Sequence, residues 1–242
     1  MVVRLHKHMA LCGIDSRRRC EDLIVQGRVS VNGVVATKLG TCIDPDKDRI
    51  FVDGKEIFPA PGFIYYALNK PAGFVVTMKD SHGAATVMDI MKDIKERIFP
   101  VGRLDRDTRG LLLFTNDGQL ANRLMHPRYH LEKEYLATIK RELERHNLRW
   151  LKKGIVLEGK KTLAATVDIY RKMRHSVVYR LVIREGRKRQ IRRMFKAVGH
   201  PVTDLKRVGI GPIRLGRLAQ GEYRLLTLRE IRALKKAVNP HK

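Results

Sequence analysis

The run Leu111-Leu112-Leu113-Phe114, closed by the turn Asn116-Asp117-Gly118, constrains the fold more than any other stretch of this chain. Four large apolar residues in succession offer no polar face, so a strand here has to be covered on both sides. Around it the text alternates strand-like pieces (63–70, 135–139, 165–170, 177–183) with helical stretches (118–126, 141–154, 187–199, 228–238). The strands lack the regular spacing of βαβ units, which predicts an α+β protein with a mixed, mostly antiparallel sheet flanked by helices. No internal repeat at a fixed period and no low-complexity segment interrupts this pattern.

The first 58 residues read as a separate unit. Leu5–Leu11 has a helical pattern stopped by Gly13, and Ser16 can cap a second helix that buries Cys20, Leu23 and Ile24 and ends at Gly27. Val29-Ser30-Val31, Asn32-Gly33 and Val34-Val35 then spell a hairpin with a tight turn. Pro59-Ala60-Pro61-Gly62 continues neither helix nor strand and reads as a linker over 59–62, with a larger domain over 63–242.

Charge decides the class of partner. The chain carries 50 Lys and Arg against 25 Asp and Glu, a net +25. Residues 133–242 alone hold thirty basic and nine acidic residues. No compact fold gains from such self-repulsion, so a polyanion is the expected partner. The basic residues are scattered through strand-like and turn-like text, as in 177–193, and not along one amphipathic helix, which favours an extended nucleic-acid face over a membrane surface. Arg17, Arg18 and Arg19 fall in the first turn of their helix, where the macrodipole disfavours cations by a few tenths to about 1 kcal/mol each. A solvated charge run is the plain alternative, but the unfavourable position points to phosphate contacts. There is no apolar run long enough to span a bilayer and no signal-peptide core. Three cysteines without a C-x-x-C pattern fit a reducing compartment, so a cytoplasmic location is expected.

Several partial motifs lead nowhere. Gly154 to Lys161 approaches a P-loop, but Lys161 stands where Ser or Thr must hold magnesium, and Ile155-Val156-Leu157 is strand-like. Asp105-x-Asp107 starts like a calcium loop, yet Arg109 replaces a ligand and Asn116 sits where the bidentate Glu belongs. His126 and His130 have no catalytic Glu between them. Neither a metal nor an organic cofactor is expected.

The segment Gly102-Arg103-Leu104-Asp105-Arg106-Asp107-Thr108-Arg109-Gly110 precedes the buried strand and sets a carboxylate, Asp105, among arginines. Nearby cations favour an ionised carboxylate, and one held in a basic groove is suited to act as a nucleophile or base toward a flipped-out nucleotide. A structural Arg–Asp cluster at a strand start fits these residues equally well.

Two resemblances add to this reading. Residues 3–50, with two short helices, Ser16-Arg17-Arg18 and the Gly27–Gly33 hairpin text, resemble the S4 RNA-binding module. Asn69-Lys70-Pro71-Ala72-Gly73, then 102–118, then Lys133-Glu134-Tyr135, then Glu185–Met194, in that order, closely resemble the RsuA/RluB-type ribosomal RNA pseudouridine synthases. Together they cover nearly the whole chain.

The resemblance implies that Asp105 attacks a target uridine, at ribose C1′ or at base C6, so that the uracil can be detached, rotated and rejoined through C5. It implies that Tyr135 stacks on the flipped base and that Arg192 pairs with the catalytic carboxylate, a task suited to the forked guanidinium. Arg103 would contact RNA near the vacated base position. Arg187, Lys188, Arg189 and Arg193 join Arg17, Arg18 and Arg19 as expected RNA contacts. Arg189 stands where many relatives carry His, which leans toward the large-subunit branch. The expected partner is ribosomal RNA or a precursor ribosomal particle, the expected state a monomer. A non-catalytic RNA-binding assembly factor would explain the charge and the front module, but not the aspartate within four ordered motifs. A nuclease would prefer clustered acidic metal ligands or a His pair.

Overall fold

The computed structural model of the chain describes residues 1–80 and 83–239. Its contacts divide into two compact units, Met1–Ile64 with Asn116–Gly118, and Tyr65–Thr115 with the chain from Gln119 onward.

In the first unit, helices α1 (Leu5–Leu11) and α2 (Arg17–Val25) pack on a four-stranded sheet of β1 (Val29–Val31), β2 (Val34–Val35), β3 (Ile50–Val52) and β4 (Lys55–Glu56), ordered β2-β1-β3-β4. The Ser16 side chain caps α2 by accepting from the Arg19 N–H at 3.2 Å. Asn32 and Gly33 both take positive φ, 53° and 83°, as a two-residue hairpin turn with right-handed strand twist requires. Leu5, Met9, Cys20, Ile24, Val29 and Ile50 close the core.

The second unit is built on a nine-stranded sheet. Its main strands are β5 (Tyr65–Lys70), β6 (Arg109–Thr115), β7 (Lys133–Ile139), β8 (Thr166–Met173), β9 (Ser176–Ile183), β10 (Asp204–Ile210) and β11 (Tyr223–Leu225), in the order β8-β9-β7-β10-β6-β5-β11. Phe99–Val101 adds to β6 and Ile213–Arg214 to β10. Only β10 and β6 pair in parallel; the other ladders among the described residues are antiparallel, as the irregular strand spacing predicts.

The apolar run lies in β6, between β10 and β5, and Leu111 to Phe114 are at most 1% exposed. One face of the sheet is covered by helices α3 (Gly118–Met125) and α6 (Leu228–Ala237) through Leu120, Leu124, Leu234 and Val238. The opposite face receives α4 (Arg145–Lys153) and α5 (Gln190–Ala197), with the Phe195 ring edge-on to Tyr179 at 6.2 Å and the Tyr179 hydroxyl accepting from the Leu143 N–H at 3.0 Å. The helical text expected from residue 187 becomes helix only at Gln190, because Arg189 adopts φ 50°.

Candidate active site

Asp105 opens a tight turn in front of β6. The Asp105 carbonyl accepts from the Thr108 N–H at 3.0 Å, with Arg106 and Asp107 at the corner. An Asp in the first position suits such a turn. The turn is clamped from one side by residues 70–73: the Gly73 N–H donates to the Arg106 carbonyl at 2.8 Å, and Arg106 Nε donates back to the Gly73 carbonyl at 3.0 Å.

Lys70, at the end of β5, is 0% exposed and supplies the second clamp. Its Nζ donates to the carbonyls of Pro71 (2.9 Å), Arg106 (3.3 Å) and Thr108 (2.9 Å). Burial pulls this ammonium down to about 8, against the opposing pull of the Asp107 and Asp105 charges. A buried cation whose three donors all meet turn carbonyls fixes the backbone that presents Asp105.

A third hold comes from α5. Arg189 donates to both oxygens of Asp107 at 3.2 and 3.3 Å. Arg192 Nη2 lies 3.2 Å from an Asp107 carboxylate oxygen and donates to the Asp107 carbonyl at 3.0 Å, while Nη1 donates to the Val202 carbonyl at 3.2 Å. Burial raises the Asp107 carboxyl, but the Arg189 hydrogen bonds and the two guanidinium charges outweigh it and hold the group below its ordinary range. Arg192, expected beside Asp105, meets Asp107 instead. Arg109, also expected near Asp105, is taken by Asp204 at 2.6 Å. Among the described residues no side chain forms an ion pair with the half-buried Asp105 carboxylate.

Strand register builds the floor of the site. Lys70, Gly110, Arg207, Tyr135, Leu181 and Val167 are successive cross-strand partners on β5, β6, β10, β7, β9 and β8. Tyr135 is 8% exposed and sits just after a register shift against β10. A bulge of this kind re-aims the following side chain. Arg207 is 3% exposed, donates Nε to the Leu111 carbonyl at 2.7 Å, and leaves a buried Nη2 without a protein partner. At Gly110, φ is +107° and an added Cβ would stand 2.2 Å from the Arg207 carbonyl oxygen, so only glycine lets β6 and β10 approach.

The expected RNA contacts divide into two groups. Arg17, Arg18, Arg103 and Lys188 are exposed. Arg187 instead donates to the carbonyls of Lys160 (2.9 Å) and Lys161 (2.6 Å), Arg193 pairs with Glu158 at 2.7 Å, and Arg19 with Asp22 at 3.4 Å. Glu185 and Gln190 brace the segment between them, with Gln190 Nε2 donating to Glu185 Oε1 at 2.6 Å. Lys70, Asp107, Gly110 and Arg207 were not among the expected site residues; the glycine interrupting an otherwise bulky strand was the one local signal. Among the described residues no group of three or more His, Cys, Asp or Glu could hold a metal ion, and no helix is long and apolar enough to cross a membrane.

Residues 64–197 match the RNA pseudouridylate synthase family and residues 3–50 the S4 domain. The chain belongs to the RNA pseudouridine synthases, with an S4 domain at its front. It is 43% identical to the ribosomal large subunit pseudouridine synthase B of Bacillus subtilis (strain 168), over 96% of this chain and 95% of that one. It is also 43% identical to an RNA pseudouridine synthase of Aquifex aeolicus (strain VF5), over 98% and 96%. A crystal structure of a pseudouridylate synthase superposes with a TM-score of 0.68 at 32% identity, covering 96% of this chain and 99% of the other.

Proposed function

We propose that the chain converts a uridine of large-subunit ribosomal RNA, free or in a precursor particle, to pseudouridine, with Asp105 as nucleophile. The observation that carries this reading is the selective pairing on one turn: Asp107 absorbs Arg189 and Arg192, and among the described residues the Asp105 carboxylate keeps no ion-pair partner. A nucleophile has to be ionised, held in place and unobstructed. The clamps on residues 105–108 supply the second condition, and the pairing of Asp107 supplies the third.

In the proposed reaction the N1–C1′ bond breaks, a C5–C1′ bond forms, C5 loses its proton and N1 gains one. Substrate and product are isomers, so the reaction needs neither redox change nor energy input, and metal or organic cofactors have no step to serve. Tyr135 stacks on the extruded base and assists removal of the C5 proton. Arg192 orients the turn from α5. Extrusion costs a few kcal/mol, least for an unpaired base, so a looped target is favoured. Arg103 and Lys188 contact phosphates near the site, while Arg17 and Arg18 do so from the S4 domain. The relative from B. subtilis carries a large-subunit name, and Arg189 at the position before Gln190 leans the same way. A monomer working in the cytoplasm satisfies all of this.

The test is incubation of the purified chain with uridine-labelled large-subunit and small-subunit ribosomal RNA in EDTA. Pseudouridine at one position of the large-subunit RNA is the expected product. RNA fragments, or tight binding with no product, would overturn the reading.

A further inference from the structure

The rim of the second unit formed by α4 and β8 carries charge and aromatic surface that the proposed catalysis does not use. Helix α4 buries Asn147 and Leu151 and turns Arg145, His146, Arg149, Trp150 and Lys153 to solvent. Trp150, the chain's single tryptophan, is 56% exposed and is held edge-on by the His146 ring at 5.3 Å. Strand β8 lies alongside, tied by Lys152 to Asp168 (3.0 Å) and by Lys172 to Glu142 (2.6 Å). It is the edge strand of the sheet, and its register shifts between Ile169 and Arg171. Tyr170 is therefore the extra residue of a bulge, and it is 61% exposed.

The carboxylates of this rim are engaged: Glu142 and Asp168 as above, and Glu144 with His200 at 2.9 Å. Arg145, Arg149, Lys153, Arg171 and Arg174 form no ion pair among the described residues. A bare edge strand invites a second copy of the chain, but a bulge and a row of cations oppose edge-to-edge pairing. A polyanion with stackable faces answers both features, since phosphates neutralise the cations and an unpaired base covers an exposed ring. Along the sheet, Val167 is two strands from Tyr135 and Tyr170 lies three residues further, on the order of 15 Å in all. One folded RNA reaches both.

We infer that the α4–β8 rim is a second RNA-contact surface of the catalytic unit, holding a single-stranded segment of the substrate RNA with a base stacked on Trp150. The inference rests on the RNA-isomerase reading above and names where that RNA extends. Because Trp150 is the only tryptophan, its emission reports on this rim alone. The full chain is titrated with a fluorescein-labelled stem-loop of large-subunit ribosomal RNA, with label anisotropy tracking occupancy in the same sample. Trp150 emission is expected to quench in step with occupancy. Trp150→Ala should raise Kd about tenfold, with Trp150→Phe restoring most of the loss, as stacking requires. Arg145→Glu with Arg149→Glu should reduce the slope of log K against log[salt] by about two. Unchanged emission at full occupancy, together with wild-type Kd in these variants, would overturn the inference and leave the isomerase reading standing. Absence of any RNA binding would overturn both. A dimer that the charge reversals dissociate, at unchanged RNA affinity, would assign the rim to a second copy.

Discussion

The Arg192 guanidinium lies 3.2 Å from the carboxylate of Asp107, two residues beyond Asp105 on the same turn. On the proposed reading, Arg192 acts on Asp105 through the turn that carries both carboxylates. Two variants test this coupling. Arg192→Met should lower kcat/KM by at least about a hundredfold, and Asp107→Asn by about tenfold. The double variant should lose much less than the product, because both changes break one connection. Arg192→Lys should recover only part of the loss, since one ammonium cannot reach Asp107 and Val202 with a forked geometry. Independent, additive losses in the cycle would contradict the coupling.

Lys70 predicts a stability signature. The unfolded chain holds this proton up to its ordinary value near 10.5, whereas the folded chain releases it at about 8. Between those pH values the unfolded state binds more protons, so the Lys70 contribution to stability rises with pH, by about 3 kcal/mol in all. Urea unfolding at pH 7, 8.5 and 10 should show this rise in the wild type relative to Lys70→Met. The variant also leaves the Pro71 and Thr108 carbonyls without their Lys70 donor, while the Arg106 carbonyl keeps the Gly73 N–H, and should be less stable at pH 7 by about 2 kcal/mol. Parallel pH profiles for the two proteins would refute the assignment.

Gly110→Ala places a methyl group inside the Arg207 backbone at a φ that side chains avoid. The expected cost is at least about 3 kcal/mol, since backbone and not a flexible side chain would have to move. A loss below about 1 kcal/mol in urea unfolding would mean that β6 and β10 do not pack this closely.

Much of this architecture is legible in the sequence, and the exceptions share one cause. The buried run in β6, the Ser16 cap and the Asn32-Gly33 turn follow from local chemistry, since each is decided by residues within a few positions of one another. The near P-loop at 154–161 is likewise a hairpin, with Val156–Leu157 pairing Lys160–Lys161. Lys70 is different: nothing in Asn69-Lys70-Pro71 reveals that its ammonium is buried, because its carbonyl partners at Arg106 and Thr108 lie 36 and 38 residues away. The choice of Arg192 between Asp105 and Asp107 depends on which carboxylate faces α5, a matter of tertiary placement. Arg187 reads as a phosphate contact for the same reason, since the Lys160 and Lys161 carbonyls that engage it are distant in sequence.

The S4 domain offers a test of RNA contacts by salt dependence. Arg17 and Arg18 are exposed and form no ion pair among the described residues, whereas Arg19 is held by Asp22. Arg17→Ala with Arg18→Ala should weaken binding of a long ribosomal RNA and make the salt slope shallower by about two, while Arg19→Ala should change it by less than one. An unchanged slope in the double variant would remove these arginines from the interface.

The most direct measurement compares Asp105→Asn with the wild type in single-turnover pseudouridine formation, with RNA affinity measured in parallel. The side chain stays nearly isosteric, and the phosphate contacts that dominate affinity lie elsewhere. The account predicts no detectable pseudouridine from the variant and a Kd within a few-fold of wild type. Residual turnover of even a few per cent of the wild-type rate, in a preparation free of contaminating enzyme, would contradict the role of Asp105 as nucleophile.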